Sequence, residues 1–397
     1  MKKNILFVMN NLNCGGAEKA LISLLEIIDY SKYNVDLFLF KHAGIFINKL
    51  PKEINLLPEP VNYKYFDMSI TQSLAELINK GDFRTAFSRG ILGYLAKTET
   101  NGAIIEQKLW RHMSRSIDEI KNEYDVAIGF LEKNPVYFCV DKVKAKQKIG
   151  WIHTDYNKLG IDYRAEKYYF GKLDYIVTVS EELVNILKRN FPEFEEKIMC
   201  IHNIVSSKMI QKMSLGKVVL KEEDDRSMSL ISVGRLAKEK GLDISLEAVD
   251  ILVKRGHNIK WYLIGEGNVR DTLEKCIRER KLEDRVKLLG LKTNPYPYIK
   301  QSDIYIQTSR CEGKSIAIDE AKILAKPILI TNFETANDHI KNNINGIIAE
   351  MNPLSVANSL ELLITEEKLR NKFIDNLMKE ELGTENEVHY LYELINN

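Results

Sequence analysis

Apolar residues recur along this chain in two alternating rhythms. Asn4 to Met9 (NILFVM) is a compact apolar run, as expected of a strand buried on both faces of a parallel sheet. Asn10 to Gly16 (NNLNCGG) is a polar, glycine-bearing loop. From Ala17 to Tyr30 apolar residues return at helical spacing: Ala20, Leu21, Leu24, Leu25, Ile28. Val35 to Phe40 is a second buried-type run and Ile54 to Leu57 a short third. The opening is therefore β–loop–α–β, the start of a doubly wound α/β fold.

Residues 62–122 break the alternation and read as a helical insertion rich in aromatics. The α/β rhythm resumes with strands at Tyr124–Leu131, Gln147–His153, Leu173–Ser180 and Ile198–Val205, and a helix at Glu181–Asn190. Lys142, Lys144, Lys146 and Lys148 alternate into the Gln147–His153 strand, which suggests one basic face. Ser206 to Ser227 is polar with mixed charge and reads as a linker. After it the βα pattern restarts: Met228–Val233, Leu242–Arg255, Ile259–Ile264, Val269–Arg280, Val286–Leu289, Asp303–Thr308, then a helix and Pro327–Thr331. Thr384 to Asn397 reads as one more helix. Two domains are expected, 1–205 and 206–383, with the helix 384–397 packing back on the first.

Composition agrees with two soluble domains. The chain has 397 residues, 45% hydrophobic and 28% charged, with a net charge of +1. That balance gives no global attraction to nucleic acid, and none is expected as a partner. Five scattered cysteines (Cys14, Cys139, Cys200, Cys276, Cys311) show neither disulfide nor zinc spacing, which fits a reducing cytoplasm. The Ile5–Met9 run is too short for a signal-peptide core, and no window offers 18 consecutive apolar residues. Locally, Lys80 to Arg115 carries seven basic against three acidic residues, an excess of four, interleaved with Phe83, Phe87, Tyr94 and Trp110. That stretch fits either a helical insertion with a solvated basic face or a surface for anionic lipid.

Candidate chemistry lies where strands of the second half end. Ser232 to Gly241 (SVGRLAKEKG) sets Arg235 and Lys240 in a strand-to-helix turn, at the sheet edge where α/β folds bind ligands. Arginine suits bidentate phosphate contact and lysine point-charge contact. Cations at a helix start oppose its dipole, a cost that a bound anion would remove. Leu263 to Gly267 (LIGEG) is a second close-approach turn, containing Gly265 and Gly267. The third strand end is Ser309 to Ala321 (SRCEGKSIAIDEA), where Glu312 and Glu320 have seven residues between them. Gly313 and Ser315 there open a helix whose free N–H groups suit an anion. Each element alone also fits a structural role, with surface cations, packing glycines and solvated glutamates. Together, at one sheet edge, they point to a phosphorylated ligand. In the first half Gly15-Gly16 falls where a phosphate or sugar binds, although GxGxxG is absent. Asp36 stands too early in its strand to be a ribose-binding acid.

With GGAEKA at the N-terminus, WIHTD at 151–155, IHNIV at 201–205, VGRLAKEKGLD at 233–243, LIGEG at 263–267, EG with its second Glu eight residues on, LAKPILIT at 324–331 and Asn345-Gly346, the chain resembles the retaining GT-B glycosyltransferases of family 4. It is most similar to bacterial members that build capsular and other surface polysaccharides. The resemblance implies two Rossmann-like domains facing across a cleft, with a nucleotide-sugar, expected to be UDP-linked, held mainly by the C-terminal one. It implies that Arg235 and Lys240 hold the donor diphosphate, Glu320 the ribose and Glu312 the sugar. Lys314, Ser315 and Ile316 would turn backbone N–H groups to the phosphate and sugar, and Gly15 and Gly16 would close over the diphosphate. His153, a position where a lone histidine is by itself more often structural, matches the family's histidine near the reacting sugar.

Lys314 and Ser315 depart from the family pattern, which often has an aromatic residue or Leu after the EG pair and a Pro soon after. This leaves donor identity open. No aspartate pair suited to a divalent ion stands out, so neither metal nor other cofactor is expected. The family resemblance implies transfer with retention to a glycan or lipid-linked acceptor, in the cytoplasm or at the inner membrane face through 80–115. Two alternatives share these features: a UDP-sugar epimerase of the same fold, and a non-catalytic sugar-nucleotide-binding subunit.

Overall fold

The computed structural model describes residues 2–13, 15–221, 225–312 and 314–396. Cys14 and Gly313 lie outside the described residues. Contacts divide the chain into two units: Met1–Ile204 with Glu385–Asn397, and Val205–Thr384.

Unit 1 is built on a seven-stranded sheet in the order β3-β2-β1-β4-β5-β6-β7. The strands are β1 Lys3–Met9, β2 Tyr33–Leu39, β3 Asn55–Leu56, β4 Glu123–Gly129, β5 Lys144–Ile152, β6 Tyr175–Thr178 and β7 Ile198–Cys200. Every pairing is parallel. The order reverses between β1 and β4, so the loops after these strands diverge and leave a crevice at their carboxyl ends. The apolar runs account for the strands: Ile5 to Met9 are each at most 1% exposed. Asp36 is held by the Tyr124 hydroxyl at 2.6 Å and Asn55 Nδ2 at 3.0 Å, a structural role. The helix Val388–Asn396 lies on this unit. Lys3 Nζ donates to Ile395 O at 2.7 Å, Gln147 Nε2 to Leu394 O at 3.0 Å, and the Tyr33 and Tyr392 rings stack at 5.2 Å.

Between β3 and β4 the chain forms helices Lys64–Asp67, Ile70–Asn79, Phe83–Thr98 and Gly102–Met113. Asp82 and Asn101 cap the last two, each accepting backbone N–H bonds at the helix start. The basic residues of this stretch divide by environment. Arg89 is buried and donates to Tyr65 O and Met68 O at 2.8 and 2.6 Å, and Lys108 pairs with Glu99 at 2.9 Å. Arg84, Lys97 and Arg115 are exposed, as are Phe83, Phe87 and Tyr94 at 68, 66 and 68%. The alternating lysines before β5 split likewise. Lys146 pairs with Asp125 at 2.7 Å, while Lys148 turns in to Val140 O at 2.9 Å.

Unit 2 carries a six-stranded parallel sheet in the order β10-β9-β8-β11-β12-β13. These strands are β8 Met228–Val233, β9 Ile259–Ile264, β10 Val286–Gly290, β11 Ile304–Gln307, β12 Ile328–Thr331 and β13 Ile347–Ala349. Successive residues face opposite cores, as the period of two requires. Leu230, Trp261 and Ile306 pack with the helices Leu242–Lys254 and Pro353–Thr365, whereas Ile231, Tyr262 and Tyr305 pack against Ile210, Ile318 and Ala321. The reading of Ser206–Ser227 as a linker is corrected: the chain there forms a helix, Ser207–Met213, with Ser206 as its cap and Ile210 1% exposed. Seven residues are too few for a helical period to stand out from polar neighbours. The order of this sheet reverses between β8 and β11, and because these strands are neighbours the loop after β8 lies beside the loop after β11, although Gln307 and Val233 are far apart in the chain.

Candidate functional site

Two loops meet at the switch point of unit 2. The first, after β8, runs from Gly234 to Gly241. Gly241 has φ +58°, and a Cβ there would stand 2.0 Å from Thr308 O, so only glycine lets this loop touch its neighbour. The second, after β11, runs through Ser309 to Ser315, which precedes the helix Ile316–Ile323. Lys240 Nζ from the first loop donates to Glu312 Oε1 of the second at 2.7 Å. The same oxygen accepts from Gln307 Nε2 at 2.8 Å and from the Ser309 hydroxyl. Arg235 is 69% exposed along its side chain and pairs with Glu239 at 2.8 Å. A pocket beside them is lined by Gly234, Arg235, Lys240, Leu263, Gln307 and Thr308.

The remaining predicted residues of this unit fall around that pair. Gly265 and Gly267 pass so close to the β8 loop that a Cβ would stand 1.9 Å from Gly234 O and 2.2 Å from Leu236 O. Backbone packing therefore requires both glycines. Ile316 is the first helical residue, and its N–H belongs to the unpaired set at a helix start. The Ser315 N–H points to His339 Nε2 at 3.4 Å, and Ser315 Oγ accepts from Gln307 Nε2 at 3.1 Å. Lys314 Nζ lies 3.7 Å from Asp319. Glu320 is 1% exposed and accepts the Tyr296 hydroxyl at 2.8 Å, whereas Glu312 accepts from Lys240, Gln307 and Ser309.

In unit 1 the switch-point loops carry Gly15-Gly16 and Glu132, and His153 follows β5. Gly15 is the extended N-cap of the helix Gly16–Ile27, where a Cβ would stand 2.0 Å from Glu18 Oε2. Glu132 is 5% exposed and accepts the His153 N–H at 3.0 Å and the Thr154 hydroxyl at 2.6 Å. The His153 ring sits 5.1 Å from that of Phe130, and its Nε2 is buried without a hydrogen-bond partner. Burial pulls its pKa down to about 4, against the opposing pull of Glu132. The imidazole is thus neutral at pH 7. Burial pushes the Glu18 carboxyl up; its own backbone N–H opposes that shift, and the charge of Glu132 adds to it.

Several residues here were not singled out by sequence reasoning. Gln307 and Ser309 were visible only as polar positions closing an apolar run. Glu132, Thr335, which donates to Glu312 O at 3.1 Å, and His339, 2% exposed, gave no local signal. Arg310 grips Asp243 with two bonds of 2.8 and 2.6 Å and ties the two loops together from behind. Among the described residues, no group of three or more His, Cys, Asp or Glu is placed to hold a metal ion. No helix among them is long and apolar enough to cross a membrane.

Two parallel sheets, each with its crevice at a switch point, and a basic-acidic loop pair in the second define an α/β protein of the two-domain GT-B type. Residues 219–380, within which the second sheet lies, match the family described as Glycosyl transferases group 1. The chain is similar to the poly(ribitol-phosphate) alpha-N-acetylglucosaminyltransferase of Staphylococcus aureus, 25% identical over 58% of this chain and 46% of that protein. It is also similar to the N-acetylgalactosamine-N,N'-diacetylbacillosaminyl-diphospho-undecaprenol 4-alpha-N-acetylgalactosaminyltransferase of Campylobacter jejuni, 27% identical over 51% of this chain and 54% of that one. The chain thus spans about half the length of these curated relatives. In fold it is similar to the crystal structure of Anabaena HepE in complex with UDP and glucose. The TM-score is 0.67 at 15% identity, over 99% of both chains.

Proposed function

We propose that the chain is a retaining, metal-independent glycosyltransferase that moves a sugar from a UDP-sugar to a glycan or lipid-linked glycan in cell-surface polysaccharide synthesis. The observation that carries this reading is the meeting of Lys240 and Glu312 at the switch point of unit 2, with Arg235 lining the same pocket as Lys240. Two neighbouring cations there suit a diphosphate, and a carboxylate held by Gln307 and Ser309 suits sugar hydroxyls. The names of the relatives supply the reaction class and, in the Campylobacter protein, a lipid diphosphate acceptor.

The parts assign the chemistry. The bond from the sugar to the diphosphate breaks, the bond to the acceptor oxygen forms on the same face, and the departing phosphate takes the acceptor's proton. Negative charge grows on the diphosphate as it leaves. One unit charge at ~4 Å and an effective dielectric of ~20 interacts by about 4 kcal/mol. Only the part that grows in the transition state lowers the barrier, yet half of it exceeds a factor of ~10 in rate. Arg235 and Lys240 provide that stabilisation, and Lys314, Ser315 and Ile316 border the sugar and phosphate. Arg235 is free to turn, because an exposed pair such as Arg235–Glu239 holds it by less than about 1 kcal/mol. Gly15, Gly16 and neutral His153 keep the roles that the family resemblance implies for them. Glu320 reaches the ribose only if it shares its bond to Tyr296.

The test is a panel of UDP-sugars read by thermal shift, followed by transfer kinetics. Arg235→Ala is expected to lower kcat/KM by more than ~10-fold; a change within about twofold would refute its role.

Membrane association belongs to the same proposal. Phe83, Phe87 and Tyr94 fall within an arc of about 40° on the helix Phe83–Thr98, at 100° per residue. Exposed Arg84 and Lys97 flank that arc, which fits an anionic bilayer at the inner membrane face. Sedimentation with phosphatidylglycerol but not phosphatidylcholine vesicles, lost in Phe83→Ser/Phe87→Ser, is the expected result. Equal binding to both vesicles would refute it.

A further inference from the structure

Cations at the strand ends of unit 2 are already engaged by carboxylates: Arg235 by Glu239, Arg310 by Asp243, Lys314 by Asp319 and Lys240 by Glu312. The last pair combines what the others have singly. It bridges the two switch-point loops, as Arg310–Asp243 does, but its side chains are only 24 and 11% exposed; Lys314–Asp319 is similarly buried but stands wider, at 3.7 Å, and within one segment. Lys240 lines the pocket, and Glu312 is bonded to Gln307, which also lines it. Solvent screens such a pair far less than the exposed Arg235–Glu239 contact. Glu312 Oε1 also keeps two further donors, Gln307 Nε2 and the Ser309 hydroxyl, which stay with the carboxylate if Lys240 departs.

Resting on the reading of unit 2 as a nucleotide-sugar site, we propose that the Lys240–Glu312 ion pair is exchanged on ligand binding. Glu312 stands in for phosphate at Lys240 in the ligand-free protein, and a diphosphate binds by taking Lys240 from it. The exchange costs Glu312 its strongest partner and brings a like charge close. An intact nucleotide-sugar offsets that cost, because a sugar hydroxyl donates to the freed Oε1. A nucleoside diphosphate alone has no such donor. The pair therefore selects the whole donor over its own product. After transfer, Glu312 reclaims Lys240 and expels the nucleoside diphosphate. This assigns Glu312 two opposed effects, favourable to the sugar and unfavourable to the bare diphosphate.

Titration calorimetry of UDP with the full chain separates these effects. Glu312→Ala releases Lys240, and Glu312→Gln leaves it only a neutral acceptor; both are expected to tighten UDP binding, Glu312→Ala by about tenfold, the scale of one competing charge-assisted hydrogen bond, and Glu312→Gln by less. In the same variants, transfer from the UDP-sugar falls by a similar factor or more. Glu239→Gln, which frees Arg235 from an exposed pair, should change UDP affinity by less than about twofold. Unliganded melting curves identify which Glu312 variant is folded, and the tightening must appear in that one. UDP affinity that is unchanged or weaker in a folded Glu312 variant overturns the exchange while leaving the site intact. Absence of UDP binding in the wild type and all variants overturns the site reading itself, and the exchange with it.

Discussion

Glu166→Gln in unit 1 should remove one of two opposed pH dependences of stability. Glu166, on the helix Tyr163–Phe170, is 0% exposed. Burial pushes its carboxyl up to about 7, against the Tyr137 hydroxyl and Gln107 Nε2, which both donate to Oε1. Its other oxygen has no hydrogen-bond partner. Unfolded, the group titrates near 4.5. Between those values the native state holds a proton that the unfolded state has lost. Stability from this group is complete below 4.5 and is lost as pH rises through 7. At about 1.36 kcal/mol per pH unit, the gap amounts to about 3 kcal/mol. His153 acts in the opposite sense. It titrates near 6.5 unfolded and about 4 folded, so its stability is present above 6.5 and is lost as pH falls toward 4. The two slopes nearly cancel in the wild type over about pH 4.5 to 6.5. Glutamine cannot ionise and still accepts both bonds at Oε1, so it removes the Glu166 contribution and leaves the His153 slope without that counterweight. The assay is urea unfolding from pH 4 to 8, followed by the fluorescence of Trp110 and Trp151, both buried in unit 1. Relative to wild type, Glu166→Gln should gain about 3 kcal/mol at pH 8 over its value at pH 4.5. Parallel curves for the two proteins would refute the reasoning.

Other consequences follow from single contacts. Gly265→Ala combines φ +148° with a Cβ 1.9 Å from Gly234 O, and backbone on both sides cannot yield. A loss of about 3 kcal/mol or more is expected, seen as an earlier unfolding transition of unit 2. The His153 imidazole resonances should not titrate between pH 5 and 8, since its pKa is pulled to about 4; NMR of selectively labelled protein checks this. His339→Ala removes the acceptor of the Ser315 N–H and loosens the Glu312–Ser315 loop. The donor KM should rise by about tenfold with a smaller change in kcat, and His339→Gln, which restores an acceptor at that place, should recover most of the loss.

Much of the fold was legible because its signals are local. Runs such as Ile5–Met9 and Ile304–Ile306 are apolar without interruption, since both sheet faces are covered. The turn containing Arg235 and Lys240 could be placed at a ligand-binding edge from the strand that precedes it. Elements too short to show a period went unseen, among them the helix Ser207–Met213 and the strand Ile347–Ala349.

Residue chemistry and order along the chain placed Arg235, Lys240 and Glu312 at strand ends, with Glu320 seven intervening residues beyond Glu312. Which of these meet was decided by sheet order. Because β8 lies next to β11, Lys240 finds Glu312 at 2.7 Å across 72 residues of chain. The same long-range packing buries Glu320 under Tyr296, brings His339 to the Ser315 amide and sets Glu132 beneath His153. A hydrophobic period reports only whether a neighbourhood is buried, and it is equally satisfied by any partner that excludes water. Hydrogen bonds and ion pairs are directional and short, so their partners exist only once the strands are in register.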